Sequence, residues 1–195
     1  MEIELVGGNS VAIMLSKLLF AVDPKFSDSV SKEAKVYLLT QPEFGVQADS
    51  GALIIDCPGE YEIGGVSVKG IAAQAHNDDK DVPFRATIFK IYNEEFSAVV
   101  LGQIAPDLSE EQLEAIGVID AVVLPVGGEG DTLTVDESLR VVRKISPKIV
   151  VPIYKEEQEA QTLATQLAAK QESVSKLKLK TLPVGEGMTI YLLGK

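Results

Sequence analysis

Short apolar segments follow one another through the first half of the chain, separated by polar or glycine-rich breaks. They are Ile3 to Val6, Val11 to Leu15, Leu18 to Val22, Lys35 to Leu39, Ala52 to Asp56, Tyr61 to Ile63, Val66 to Ile71 and Thr87 to Ile91. Their length and β-branched content predict strands. Gly7-Gly8-Asn9 and Gly64-Gly65 fall between such segments. Glycine supplies the positive φ of a two-residue turn, so hairpins are expected at both places.

The rhythm changes at Phe96, which opens a strand running to Leu101. Ser109-Glu110-Glu111-Gln112 has the form of a capping box, in which the serine oxygen and the glutamine side chain satisfy each other's orphan amides, and Gly117 supplies the stop. Ala121 to Val126 is apolar without alternation, as a strand covered on both faces requires. Thr134-Val135-Asp136-Glu137 repeats the capping logic, with Leu139, Val142 and Ile145 at helical spacing before Pro147. Ile149 to Ile153 reads as another buried strand. Glu156 to Glu172, rich in Ala, Gln, Glu and Leu, reads as a long helix. Lys176 to Leu182 and Met188 to Leu193 are expected to pair as a hairpin across Gly185 to Gly187. A strand meander followed by this β-α-β-α-β-α-β-β order asks for stacked sheets with helices outside. With no linker or repeat in residues 1–195, one domain is expected.

Composition narrows the function more than the fold. With 46% apolar residues and 6% aromatics, the interior is expected to be mainly Val, Ile, Leu and Ala. A formal net charge of −11 repels phosphate backbones and anionic lipid, so neither nucleic acid nor a membrane surface is an expected partner. Lys170, Lys176, Lys178 and Lys180 make the strongest local basic stretch, but lysine alternating with leucine is the pattern of a half-solvated strand. No stretch has the form of a signal peptide or the length of a membrane span, and the single cysteine, Cys57, forms no internal disulfide. A cytoplasmic location is expected. Beside an apolar strand and Pro58, Cys57 reads as a small buried hydrophobe.

In such a layout the loops that follow buried strands gather at one edge and build the site. Those loops bring Gln41, Glu43, His76, Gln103 and Tyr154, with Asp78, Asp79, Glu129 and Asp131 as further acidic groups. His76 is the one imidazole in the chain, whereas a zinc site closed by nitrogen and sulfur takes three or four ligands. A loop histidine is more ordinarily held by a neighbouring carboxylate or carbonyl. The acidic residues match no calcium-loop spacing and read as solvated loops. Gly127-Gly128-Glu129-Gly130 precedes a helix but lacks the Gly-Lys-Ser/Thr ending of a phosphate loop, and reads as a strand-to-helix turn.

Five stretches together resemble the metallo-β-lactamase superfamily, over nearly the whole chain. They are Lys35 to Leu39 with Thr40-Gln41-Pro42-Glu43-Phe44-Gly45-Val46, Gly102-Gln103 after a strand, Pro125 to Gly128, Val151 to Tyr154, and Asp56-Cys57-Pro58-Gly59-Glu60-Tyr61-Glu62-Ile63. The branch they resemble is that of short, lactonase-like metal-dependent hydrolases. This resemblance implies a four-layer α/β/β/α sandwich. In the family the loop after the early strand carries His-x-His-x-Asp-His, and Gln41, Glu43, Gly45 and Val46 stand at those four places. His76 matches a later family histidine, Gln103 the bridging aspartate and Tyr154 the last histidine.

Zinc is the cofactor that the family implies, but an amide or a phenol replaces imidazole poorly, and Gly and Val offer no side-chain donor. No cofactor is therefore expected. Without a cation, water keeps its bulk acidity and hydroxide is scarce at neutral pH. The expected function is binding or assembly, with a small molecule or a protein as partner and a homo-oligomer as a further option. The alternative is hydrolysis of a small ester, lactone or phosphate-bearing substrate with an atypical metal or none, through His76 or Glu43.

Overall fold

The computed structural model describes residues 1–24, 33–44, 51–76, 84–128, 130, 132–183 and 187–194. One sheet holds β1 (Glu2–Gly7), β2 (Ser10–Leu15), β3 (Leu18–Val22), β4 (Val36–Leu38) and β5 (Leu53–Ile55). The second holds β6 (Gly59–Ile63), β7 (Val66–Ala73), β8 (Ala86–Tyr92), β9 (Ser97–Val100), β10 (Ala121–Val126), β11 (Ile149–Tyr154) and β12 (Lys170–Val174). The last two strands divide between the sheets: β13 (Leu177–Lys178) joins the first and β14 (Thr189–Leu193) the second. The strand orders are β13-β1-β2-β3-β4-β5 and β12-β14-β11-β10-β9-β8-β7-β6.

Period-two alternation sorts the side chains into layers. Between the sheets, Ile13, Phe20 and Leu38 meet Phe89, Val123 and Val151. On the far face of the eight-stranded sheet, Ile88, Val122, Leu124 and Val150 pack beneath α1 (Glu110–Ile116), α2 (Val135–Ile145) and α3 (Glu157–Gln166). The outer face of the six-stranded sheet buries Ala21, Ala34 and Tyr37. All six residues of β10 are buried, which is why that segment shows no alternation. The layering is the mixed α/β sandwich expected from the sequence.

Both capping boxes form. Ser109 Oγ accepts from Gln112 N and Thr134 Oγ1 from Glu137 N, while each partner side chain reaches back to the cap amide. Each cap contributes about 1 kcal/mol. Gly64 and Gly65, at φ +56° and +78°, make the two-residue turn between Ile63 and its cross-strand partner Val66.

Three expectations are corrected. The helix expected over Glu156 to Glu172 ends at Gln166, and Lys170–Val174 instead forms an edge strand parallel to Thr189–Leu193. Local propensity there yields to a ladder made with residues distant in sequence. For the same reason the closing hairpin is absent: Leu177 and Lys178 pair antiparallel with Ile3 and Glu2, whereas β14 lies between β11 and β12 in the other sheet. Cys57 is exposed rather than buried, with Sγ 3.4 Å from Tyr61 Oη. The basic stretch is neutralised in place, Lys170 by Glu172 (2.6 Å) and Lys176 by Glu2 (3.1 Å) and Glu4 (3.0 Å). Among the described residues no helix is long and apolar enough to cross a membrane.

Candidate functional site

The chain leaves β3 at Asp23, whose backbone takes φ +45°. Its N–H donates to the Leu38 carbonyl (3.0 Å) and its carbonyl accepts from Ser10 Oγ (2.6 Å). The carboxylate accepts from Thr40 N at Oδ1 (2.7 Å) and from Thr40 Oγ1 at Oδ2 (2.6 Å). Burial pushes the Asp23 carboxyl up to about 7, against the lowering effect of the Thr40 bonds. Thr40 also accepts the Thr87 N–H (2.7 Å), which ties the six-stranded sheet to β8. Gly102, at φ +65°, packs against Thr40 so closely that a Cβ there would stand 2.5 Å from Thr40 Cβ. No other residue fits that approach.

Thr40 and Gly102 orient the residues that follow them, Gln41 and Gln103. Gln41 is buried, and its Nε2 donates to the Gln103 carbonyl (3.2 Å). The same carbonyl accepts the His76 N–H (3.0 Å). His76 Nε2 lies 3.6 Å from Glu137 Oε2. That carboxylate oxygen also accepts from Thr134 N (2.9 Å) and Thr134 Oγ1 (2.8 Å), closing the capping box of α2. The backbone and hydroxyl of Thr134, and then His76, hold the Glu137 carboxyl below the usual carboxylate range. Gln103 Oε1 is buried without a hydrogen-bond partner.

Past Gln103 a cleft of about 340 Å³ opens between the ends of β10 and β11 and the β1–β2 turn. It is lined by Asn9, Gln103, Val126, Gly127, Ile153 and Tyr154 among others. A crevice at the carboxyl ends of parallel strands is where open α/β sheets place their ligands. Tyr154 Oη donates to the Leu193 carbonyl (3.2 Å), and burial, assisted by Glu157, raises its phenol above the ordinary value. The N–H groups of Gly127 and Gly128 both donate to Leu133 O (2.9 and 3.1 Å). The glycine turn thus holds its own helix connection, and those two amides do not face an anion. Glu159 leans from α3 onto this turn: a Cβ on Gly127 would stand 2.7 Å from Glu159 Oε2.

The sequence profile of the beta-lactamase superfamily domain matches residues 2–154. The chain belongs to this superfamily. A candidate Zn-dependent hydrolase of the metallo-β-lactamase superfamily from Thermotoga maritima shares the fold with a TM-score of 0.77 at 21% identity, over 99% of this chain and 100% of that one. A candidate metal-dependent hydrolase from Parabacteroides distasonis superposes with a TM-score of 0.64 at 18% identity, over 85% and 87% of the two chains. A diiron β-hydroxylase from Streptomyces venezuelae gives 0.60 at 13% identity, over 84% of this chain and 50% of that one. No protein of curated function matches the sequence.

The superfamily frame shows what became of each candidate residue. Gln41, Gln103 and His76 meet at one carbonyl, and Gln103 and Tyr154 line one cleft. Glu43 is exposed on a short 3-10 helix, Pro42–Phe44. Gly45, Val46, Asp78, Asp79, Glu129 and Asp131 lie outside the described residues. Among the described residues no three His, Cys, Asp or Glu side chains are grouped so as to hold a metal ion. Sequence reasoning missed Asp23, the contact of Glu137 with His76, and Glu159. The one available signal for Asp23 was an aspartate placed directly between a buried strand and Pro24.

Proposed function

We propose that this metallo-β-lactamase-fold chain works without the zinc hydrolase chemistry of its superfamily and that its cleft serves to bind a small molecule or a protein segment. The observation that carries this reading is the bond from Gln41 Nε2 to the Gln103 carbonyl. The side chain at the first ligand place is buried, neutral and engaged as a donor, whereas a metal needs a lone pair aimed at it. Tyr154 likewise directs its hydroxyl hydrogen to Leu193 O, and His76 Nε2 faces a carboxylate. This donor set does not fit a zinc ion, and water in the cleft keeps its ordinary acidity.

Elemental analysis of protein purified without added metal, followed by zinc titration with thermal melting, tests the reading. Substoichiometric zinc and an unchanged melting temperature are expected. Tight, one-to-one zinc that is lost in His76→Ala would overturn it.

A second reading is metal-free hydrolysis of a small ester, lactone or phosphate ester, favoured by the imidazole–carboxylate pair of His76 and Glu137. Turnover on a panel of such substrates that vanishes in a folded His76→Ala variant would establish it in place of the first. No turnover across the panel supports the binding reading.

A further inference from the structure

We propose that the β5 edge of the six-stranded sheet is the contact through which two copies of this chain pair, antiparallel and centred on Ile54. The two sheets have four edge strands, β13 and β5 in one and β12 and β6 in the other. Three carry charge within the strand: Lys178 in β13, Lys170 and Glu172 in β12, and Glu60 and Glu62 in β6. Charged side chains blunt an edge against the addition of another strand. β5 reads Leu53-Ile54-Ile55 and carries none. Leu53 and Ile54 are 45% and 40% exposed, two of the four large apolar side chains left in solvent among the described residues.

The ladder between β5 and β4 is made by Leu53 and Ile55: Leu53 N–H donates to Lys35 O (3.0 Å), and Ile55 O accepts from Leu39 N (2.9 Å). Alternation turns the N–H and C=O of Ile54 the other way, out from the edge, where no further described strand pairs. An antiparallel copy centred there lets the two Ile54 residues exchange both hydrogen bonds, a self-complementary contact of the kind that twofold dimers use.

Charge complementarity favours a second copy over an unrelated chain. With Ile54 opposite itself, Asp56 of one copy stands opposite Ala52 of the other. Lys35 is one strand further in and level with Ala52, since Val36 pairs with Leu53. Lys35 and the facing Asp56 are then two strand spacings apart, about 10 Å between Cα atoms, which their side chains together span over the small Ala52. Both residues are exposed, and neither has an ion-pair partner among the described residues. The twofold axis makes the pair twice. At β6 the same operation would set Glu60 against Glu62, which like-charge repulsion opposes.

Sedimentation velocity of the full chain over a wide concentration range tests the pairing, and a dimer is expected. Ile54→Pro removes the outward N–H and spares the ladder to β4, so it should give a monomer with the circular dichroism of the folded chain. Asp56→Lys should raise the dimer dissociation constant roughly tenfold, because repulsion replaces both exposed pairs. Combining it with Lys35→Asp should restore the dimer. Under mild oxidation, Ile54→Cys in a Cys57→Ser background should cross-link to its own copy faster than Val118→Cys does in that background, although Val118 is 96% exposed. A monomer at every concentration would overturn the proposal and leave the edge to an extended segment of another protein. A dimer that persists in both Ile54→Pro and Asp56→Lys would overturn it too, as would equal cross-linking at positions 54 and 118.

Discussion

Two neighbouring groups of polar side chains in this molecule sit in opposite states. Behind the cleft, half-buried Asp23 and buried Thr40 have both carboxylate oxygens, the threonine hydroxyl and the adjoining backbone groups all paired. At its wall, Gln103 Oε1 is buried and unpaired, and Glu156 leaves its own helix uncapped. A satisfied buried network rigidifies what it joins, and here it joins the two sheets through Thr87. A buried group without a partner costs stability instead. The contrast separates residues whose side chains hold the loops together from residues whose side chains add nothing to that network.

The sharpest way to break that contrast is Gly102→Ala. The new methyl would overlap Thr40, which Asp23 holds in place, at a backbone φ of +65°. Strain and overpacking together should cost about 3 kcal/mol, read by urea denaturation. A loss under about 1 kcal/mol would show that Thr40 gives way and that the region behind the cleft is not rigid.

Asp23→Asn tests the same node through pH. The folded-state carboxyl is raised from 3.8 to about 7, so the native chain keeps a proton that the unfolded chain releases. Its contribution is therefore fully present below pH 3.8 and is lost as pH rises to about 7. Glu137, held low by Thr134, acts in the opposite sense: its contribution is present above the usual carboxylate range and lost as pH falls through its lowered value. Denaturation midpoints across this window should decline with pH less steeply in Asp23→Asn than in the unmodified chain. Parallel profiles would place the titration elsewhere.

The smallest effect is expected at the wall. Gln103→Leu removes the orphan acceptor and leaves the carbonyl that holds Gln41 and His76. Stability should stay within about 0.5 kcal/mol or rise slightly. A loss above about 2 kcal/mol would mean that the side chain belongs to the structural node after all.

Much of the scaffold was legible because its signals are local. The boxes at Ser109 and Thr134 and the Gly64-Gly65 turn each act within a few residues, and all form as read. Lys170 to Val174 form a strand where a helix was expected, and Leu177 to Lys178, a strand as expected, take a different partner, because an edge strand is defined by its partner, not by its own composition. Of the site, the short supply of strong ligands was legible as a count of one histidine. That Glu137 faces His76 was not, since its capping role already accounted for it.

Periodicity, caps and residue types belong to the chain itself, so the layered scaffold and the count of one imidazole and one thiol followed from the residues alone. Which polar groups face one another was decided in three dimensions. The Gln103 carbonyl gathers Gln41 from one sheet's loop and His76 from another, and Asp23 reaches Thr40 across a crossover. Hydrogen bonds between residues so far apart in sequence are set by how two sheets stack, and no window of the sequence contains that information.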